Sequence, residues 1–456
     1  MTNLTRRHSD ILDTVTRWAL DTTSDDLPDH ALEGATRYLR DLVATAASGS
    51  CTDMAAISRA VAAHSGPRPD GARVLFGGHD GVDPALAAFA GAATIDSFDA
   101  HDGHVLTKGH TGVAVLPAAL AAIDRQRRPV AGRALLATLV VGYEIGIRAG
   151  IASHRTAADY FTSGSWNCLA AAAAAARHSD TDHDQLGHAF GIAEFSSPRG
   201  LMMRCIDEPT MVKDGSCWGA QIGVQSIDLA RLGFTATLPE TIVDDTVTDL
   251  WTDLGATWRI HEQYIKAYPV CRWAQPSIEA ARWCARQPEF SLDQIERIAV
   301  ATFAAGCRLD HAHPASTEEA QYSLPFPVAA MLVHGDLGPA RIGPAGLADP
   351  RVLAVAAKID LVEDPTANAR FPQERWASVR IELSDGRSIS SPSMRARGDA
   401  DEPLSSAELD VKWGELVPPV LGDDDAARLR TTIDHIADLD DISPLLDLLY
   451  RAPLTR

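Results

Sequence analysis

ALLATLVVGYEIGIRAGIA, residues 134–152, decides how the rest of the chain is read. It is the longest apolar run, and a run of that length is either a membrane span or a helix buried in a protein core. Glu144 and Arg148 interrupt it, so it reads as a buried helix. The flanking segments carry the same texture: DHALEGATRYLRDLVATAAS, DPALAAFAGAATIDSFDA, TGVAVLPAALAAIDRQ and SWNCLAAAAAAARHS place small or apolar residues three and four apart. Their alanine content predicts helices packed closely, with little room for large side chains. Asp29 and Asp83 read as helix caps, the second followed by proline at the first helical position.

Near residue 267 the texture changes. IERIAVATFAAGC (295–307) and WASVRIELSDGRSISSPS (376–393) are rich in β-branched residues, and the second carries a DG turn between two alternating runs, which predicts a hairpin. SLPFPVAAMLVHG and DPRVLAVAAKI between them read as helices, and after residue 403 the pattern is helical again. The expected fold is therefore mainly α. A large all-helical domain is built from residues 1–266 and 403–456, and a smaller α+β domain, 267–402, is inserted between.

With 456 residues, 46% hydrophobic and 22% charged, the chain can bury a substantial core. A net charge of -20 argues against a broad basic face for nucleic acid or an anionic membrane and leaves room for a local cationic pocket. The seven cysteines are scattered singly with no CxxC pair, as expected of reduced thiols. MTNLTRRHSDIL at the start lacks the apolar segment of a secretory signal, and a cytoplasmic location is expected.

The polar stretch FDAHDGHVLTKGH, residues 98–110, concentrates acids and imidazoles. Its histidines, His101, His104 and His110, lie near Asp99 and Asp102, but their spacing matches no zinc motif, and no metal is assigned. Only five of the 41 basic residues are lysines: Lys108, Lys213, Lys266, Lys358 and Lys412. In a background so biased to arginine, each retained lysine draws interest for its compact charge and shiftable pKa. GSCW at 215–218 lacks the context of a thiol protease, and Cys217 reads as a packed residue. No Walker A motif, no GxGxxG after a strand and no GxSxG elbow occurs.

Six segments in order resemble the MmgE/PrpD family: SFDAHDGHVLTKGHTGVAVLPAALA, VGYEIGIRAG, SGSWNCLAAAAAAAR, AFGIAEFSSPRGLM with TMVKDG, KAYPVCRWAQPSIEAA and QYSLPFPVAAML. That family includes 2-methylcitrate dehydratase, cis-aconitate decarboxylase and iminodisuccinate epimerase. The resemblance implies a helical domain with an α+β lid, a homodimer, and a cofactor-free site in the cleft between the domains. It also implies catalytic roles for Asp99, His110, Lys213, Lys266 and Tyr322, with Tyr143 similar to an acid/base group of the epimerase branch. Two departures stand out: Phe161 in FTSGSW occupies the place of a histidine in the HPTGTW of relatives, and DAHDGH replaces their DDTH.

The reactions of that family share the removal or replacement of a proton next to a carboxylate. Such chemistry needs cations or hydrogen-bond donors aimed at the developing enediolate. Lys213, Lys266 and Arg272 are the candidates for that charge, His110 is the first choice of acid/base group, and Tyr322 or Tyr143 is a candidate proton donor. Asp102, His104, Lys108 and Arg272 complete the expected substrate-binding set, with His101 and His104 supporting the site or facing solvent. The leading expectation is a lyase on a small polycarboxylate. An epimerase, a metal-dependent hydrolase using the histidines and a non-catalytic binding protein are the alternatives.

Overall fold

The computed structural model describes residues 3–78 and 81–454, with side chains from residue 10. Its first half is a stack of helices: α1 (Asn3–Asp21), α2 (Asp29–Gly49), α3 (Asp53–Ala63), α4 (Pro84–Asp96), α5 (Gly112–Gln126), α6 (Gly132–Thr156), α7 (Asn167–Ala176), α8 (His183–Ser196), α9 (Met202–Asp207) and α10 (Ser216–Arg231). The stretch that opened the reading is α6. It is long and apolar enough to cross a membrane by length and composition, yet 94% of its apolar window is buried inside the protein, where it packs on α2, α5 and α7.

Its glycines explain the closeness of that packing. A Cβ on Gly142, Gly146 or Gly150 would lie 2.5 Å from Val115, 2.5 Å from Thr111 or 2.8 Å from Thr107, respectively. Each mid-helix glycine costs about 1 kcal/mol relative to alanine. Here the stripe lets residues 107–115, the segment carrying His110, lie directly against the core helix.

The two charges in the run are equally purposeful. Arg148 donates to Glu144, to the Leu250 carbonyl (2.7 Å), to Asp253 (2.8 Å) and to the Thr257 carbonyl (2.9 Å), while the Ile260 N–H donates to Glu144 (2.8 Å). This fully buried pair pins residues 250–260 to α6. Just beyond, β2 (Gln263–Tyr264) pairs antiparallel with β1 (Gly103–His104), which brings Lys266 to the polar loop.

The second core gathers around a four-stranded sheet in the order β4-β3-β5-β6, comprising β3 (Ile295–Thr302), β4 (Ile359–Glu363), β5 (Ala377–Leu383) and β6 (Ser388–Ser390). β3 and β4 are parallel, and the other two pairs are antiparallel. The DG hairpin joins β5 to β6, with Gly386 at φ +83°. Helices α11 (Gln275–Ala285) and α12 (Pro325–His334) pack beside the sheet. The chain then returns through α13 (Ser406–Leu416) onto α2, and Leu404 to Tyr450 contribute to the first core.

Three details depart from expectation. Phe98, Ala100 and Met202–Ile206 belong to the second core, so the polar loop and α9 straddle the two bodies. Asp29 is the first helical residue rather than the cap, placed where a carboxylate faces the positive end of the helix dipole; Asp83 does cap, accepting from Ala85 N (3.0 Å) and Leu86 N. The end of DPRVLAVAAKI leaves its helix at Ala356 and enters strand β4.

Candidate active site

The loop after α4 is built to hold polar groups in the dark. Asp99, His101, Asp102, His104 and His110 are all buried, so neither His101 nor His104 faces solvent as expected for a loop this polar. The three imidazoles diverge. His101 approaches Asp96 (3.3 Å), His104 meets Glu262 (2.9 Å), and His110 Nδ1 lies 2.6 Å from the Asp102 carbonyl. Among the described residues no three His, Cys, Asp or Glu side chains gather as a metal site requires.

The Asp102 contact fixes the tautomer of His110. A carbonyl can only accept, so Nδ1 carries the proton and Nε2 the lone pair. Burial, with Lys266 and His101 adding to it, holds the imidazole pKa well below its ordinary value and keeps the ring neutral. Its Nε2 faces Asp99 (3.7 Å) and Asp214 (4.0 Å), and its ring meets His101 edge-on.

Around Nε2 the charges are arranged in pairs. Lys266, fully buried, is ion-paired to Asp99. Lys213 donates to the Asp96 carbonyl and to Gln321 Oε1 (2.6 Å), which also accepts from the Asp99 N–H (2.8 Å). Asp214 accepts from Ser163 (2.7 Å), whose oxygen in turn accepts from the His110 N–H (3.0 Å). Lys213 and Lys108 both adopt positive φ, +46° and +50°, a sparsely populated conformation for a side-chain-bearing residue.

The carboxyls differ in protonation. Burial would push Asp99 up, but Lys266 and then Lys213 overcome it and hold the group well below the usual carboxylate range. Among the described residues Asp102 has no ion pair: burial, then the neighbouring Asp41, outweigh the opposing influence of Tyr143, Lys412 and Lys266 and push it up to about 8. Asp214 is raised as well, by burial and by Asp96. Asp99 is thus ionised at neutral pH, whereas Asp102 is a neutral acid accepting from Gln263 (2.6 Å). A contrast follows. Asp102→Asn, which copies the neutral acid in shape and charge, is expected to change kcat/KM by less than about threefold, while Asp99→Asn, which leaves Lys266 unpaired, is expected to lower it by roughly 10- to 100-fold. Steady-state kinetics of the two variants side by side would check this, and equal losses would refute the assignment.

The other expected residues fall at graded distances. Tyr322 is buried, with its ring 5.8 Å from Lys213 Nζ, and burial raises its phenol. Tyr143 sits behind the loop: its electrostatic neighbours are Asp102, Tyr38 and Asp41, and a Cβ on Gly112 would fall 2.0 Å from its hydroxyl. Lys108 is half-buried at the rim, its Nζ 4.6 Å from the Tyr160 ring centre. Arg272 is ion-paired to Asp399, which balances its charge, and donates to the Arg397 carbonyl (2.8 Å).

Asp96 was marked in the sequence by its place, one turn before Asp99 at the C-terminal end of a helix, whereas Ser163, Asp214 and Gln321 were not singled out. Of these three, Asp214 alone left a signal, in the KDG adjacent to Lys213. A cavity of about 480 Å³ opens beside Lys213, walled by Thr162, Cys205, Val212 and Trp218. Phe161 lies near this mouth, bridged to Leu201 and 5.7 Å beneath Arg199.

The chain resembles known proteins along nearly its whole length. The MmgE/PrpD N-terminal domain matches residues 13–248, and the MmgE/PrpD C-terminal domain matches 268–438. Cis-aconitate decarboxylase of Aspergillus terreus is 26% identical, with 95% of each chain covered. The cis-aconitate decarboxylase-like protein oryM of Aspergillus oryzae is 24% identical over 95% of each, and human cis-aconitate decarboxylase is 24% identical over 81% of this chain and 80% of its own. Matches to both domains, in order and across the two cores, place the chain in the MmgE/PrpD family.

Proposed function

We propose that this protein is a cofactor-independent lyase of the cis-aconitate decarboxylase type, acting on a small polycarboxylic acid. The observation that carries the reading is the neutral His110 with its lone pair at Nε2, set between the Asp99–Lys266 pair and the raised carboxyl of Asp214. The names of the relatives support the substrate class.

The chemistry then runs as follows. A carboxylate leaves as CO2 when its C–C bond breaks, and the bonding pair stays on the carbon framework, conjugated with a remaining carboxylate. Lys213 and Lys266 lower the energy of that negative charge in a water-poor site. The pair is quenched by one proton at carbon, delivered from His110 Nε2, which draws it from Asp214 4.0 Å away. No imidazole stands at position 161, so no step is assigned there.

The test is proton and carbon NMR in deuterium oxide with cis-aconitate, citrate, 2-methylcitrate and iminodisuccinate. Cis-aconitate is expected to lose CO2 and take up one deuteron at carbon. Dehydration of 2-methylcitrate would retain the lyase class and change the substrate. Proton exchange or epimerisation of iminodisuccinate with no bond cleavage, or no reaction at all, would overturn the reading.

A further inference from the structure

Among the described residues three arginines are buried: Arg148, Arg272 and Arg375. The first two are neutralised by carboxylates. Arg375, 8% exposed, forms no hydrogen bond or ion pair among the described residues, and its Nε is buried without a partner. Among the described residues its ring contact is with Phe371, whose centre lies 5.9 Å from the guanidinium carbon. A desolvated cation without a counter-charge is costly, and a fold retains one where a charge arrives from outside.

The surroundings show where that charge would sit. Arg375 lines a cavity of about 360 Å³ between the two bodies, with Val105 and Glu262 from one side and Ala396 and Asp399 from the other. Every acid on that wall is already taken: Glu262 by His104 and Arg259, Glu374 by Trp376 and Arg370, Asp399 by Arg272 and Arg395, and Asp401 by Arg395. The charge of Arg375 acts on Tyr160 and Tyr264. Arg272 on the cavity wall stacks on the Tyr264 ring, 4.5 Å from its centre, and a Cβ on Gly103 would fall 2.5 Å from the Tyr264 hydroxyl and 2.7 Å from His110 Nδ1, so Tyr264 separates this cavity from His110.

We propose that Arg375 anchors the substrate carboxylate farthest from the reacting carbon, binding it beside Tyr264 at the crevice between the two bodies. This rests on the polycarboxylate reading above. A guanidinium suits the task because its planar fork meets a carboxylate with two parallel hydrogen bonds. Lys213 and Lys266 serve the charge that develops during reaction, and Arg375 sets how many carboxylates the acid must carry.

Calorimetric titration with tricarballylate, a saturated tricarboxylate with no double bond to react, separates binding from turnover. Arg375→Met is expected to weaken tricarballylate binding by roughly 10- to 100-fold and to leave binding of methylsuccinate, which lacks one terminal carboxylate, unchanged. Arg375→Lys should recover part of the loss. Its melting temperature should not fall, because no internal partner is lost. If Arg375→Met binds tricarballylate as the wild type does while Lys213→Met does not, this inference fails and the proposed function stands. Failure of the wild type to bind tricarballylate overturns both, whereas Arg375-dependent binding with no turnover of any polycarboxylate upholds the anchor and removes the lyase.

Discussion

His110→Ala is expected to lower kcat by about 1000-fold, the middle of the range for loss of a positioned acid/base group, with little change in substrate affinity. The reasoning starts from the Asp102 carbonyl, which takes the Nδ1 proton and leaves Nε2 as the only titrating position. Because burial depresses the imidazole pKa, the neutral ring persists as pH falls through 6.5, and protonation follows only at lower pH. The ring at rest is neutral, so the proton it passes to carbon comes from Asp214, whose carboxyl is held above its ordinary value by burial and by Asp96; wild-type kcat/KM should therefore hold at acid pH and decline as pH rises and that carboxyl ionises. An ordinary aspartic acid would have lost that proton by about pH 4. The alanine variant leaves a gap edged by His101, and added imidazole should restore part of the rate without altering the melting temperature. Retention of more than a tenth of the wild-type kcat, or a kcat/KM that rises with pH through 6.5, would remove this proton relay from the chemistry.

Much of this arrangement was legible before any coordinates. The helical pattern of 134–152 and its two charges marked a core helix because an apolar surface with period 3.6 has few other uses. The DG turn marked the β5–β6 hairpin for an equally local reason. Strand β4 left no such mark: IDLVE is half-exposed and follows the apolar run of a short helix, so its pattern blends into that helix. The scarcity of lysine pointed toward Lys213 and Lys266, but it pointed equally toward Lys412, which pairs with Asp41 behind the loop and donates to the Ala100 carbonyl.

Long-range pairing was the part that stayed hidden. Arg272 and Arg375 look alike in sequence, and only the folded chain reveals that Asp399, 127 residues from Arg272, has claimed one and that no described residue has claimed the other. The Gln321 contacts to Asp99 and Lys213 likewise span 222 and 108 residues. Local pattern carries secondary structure, and charge satisfaction across the chain carries the site.

Arg148→Ala is expected to destabilise the protein by about 3–5 kcal/mol, the cost of leaving a buried charge without its partner. Glu144 would lose the guanidinium that opposes the upward push of burial on its carboxyl, so the acid would be driven further toward its neutral form. The damage should also reach the active site. Arg148 holds the carbonyls of Leu250 and Thr257, and the chain from Ile260 runs through β2 to Lys266. Loosening residues 250–260 therefore lengthens the tether that aims Lys266 at Asp99, and kcat should fall even at temperatures where the variant remains folded. The double variant Glu144→Leu, Arg148→Met removes both charges together and should regain most of the stability, since apolar side chains of similar length fill the space without a desolvation penalty. Chemical denaturation of the three proteins would measure it. An additive double variant, less stable than Arg148→Ala alone, would mean that the pair contributes through its backbone contacts to 250–260 rather than through mutual neutralisation, and the activity loss would then persist in the double variant as well.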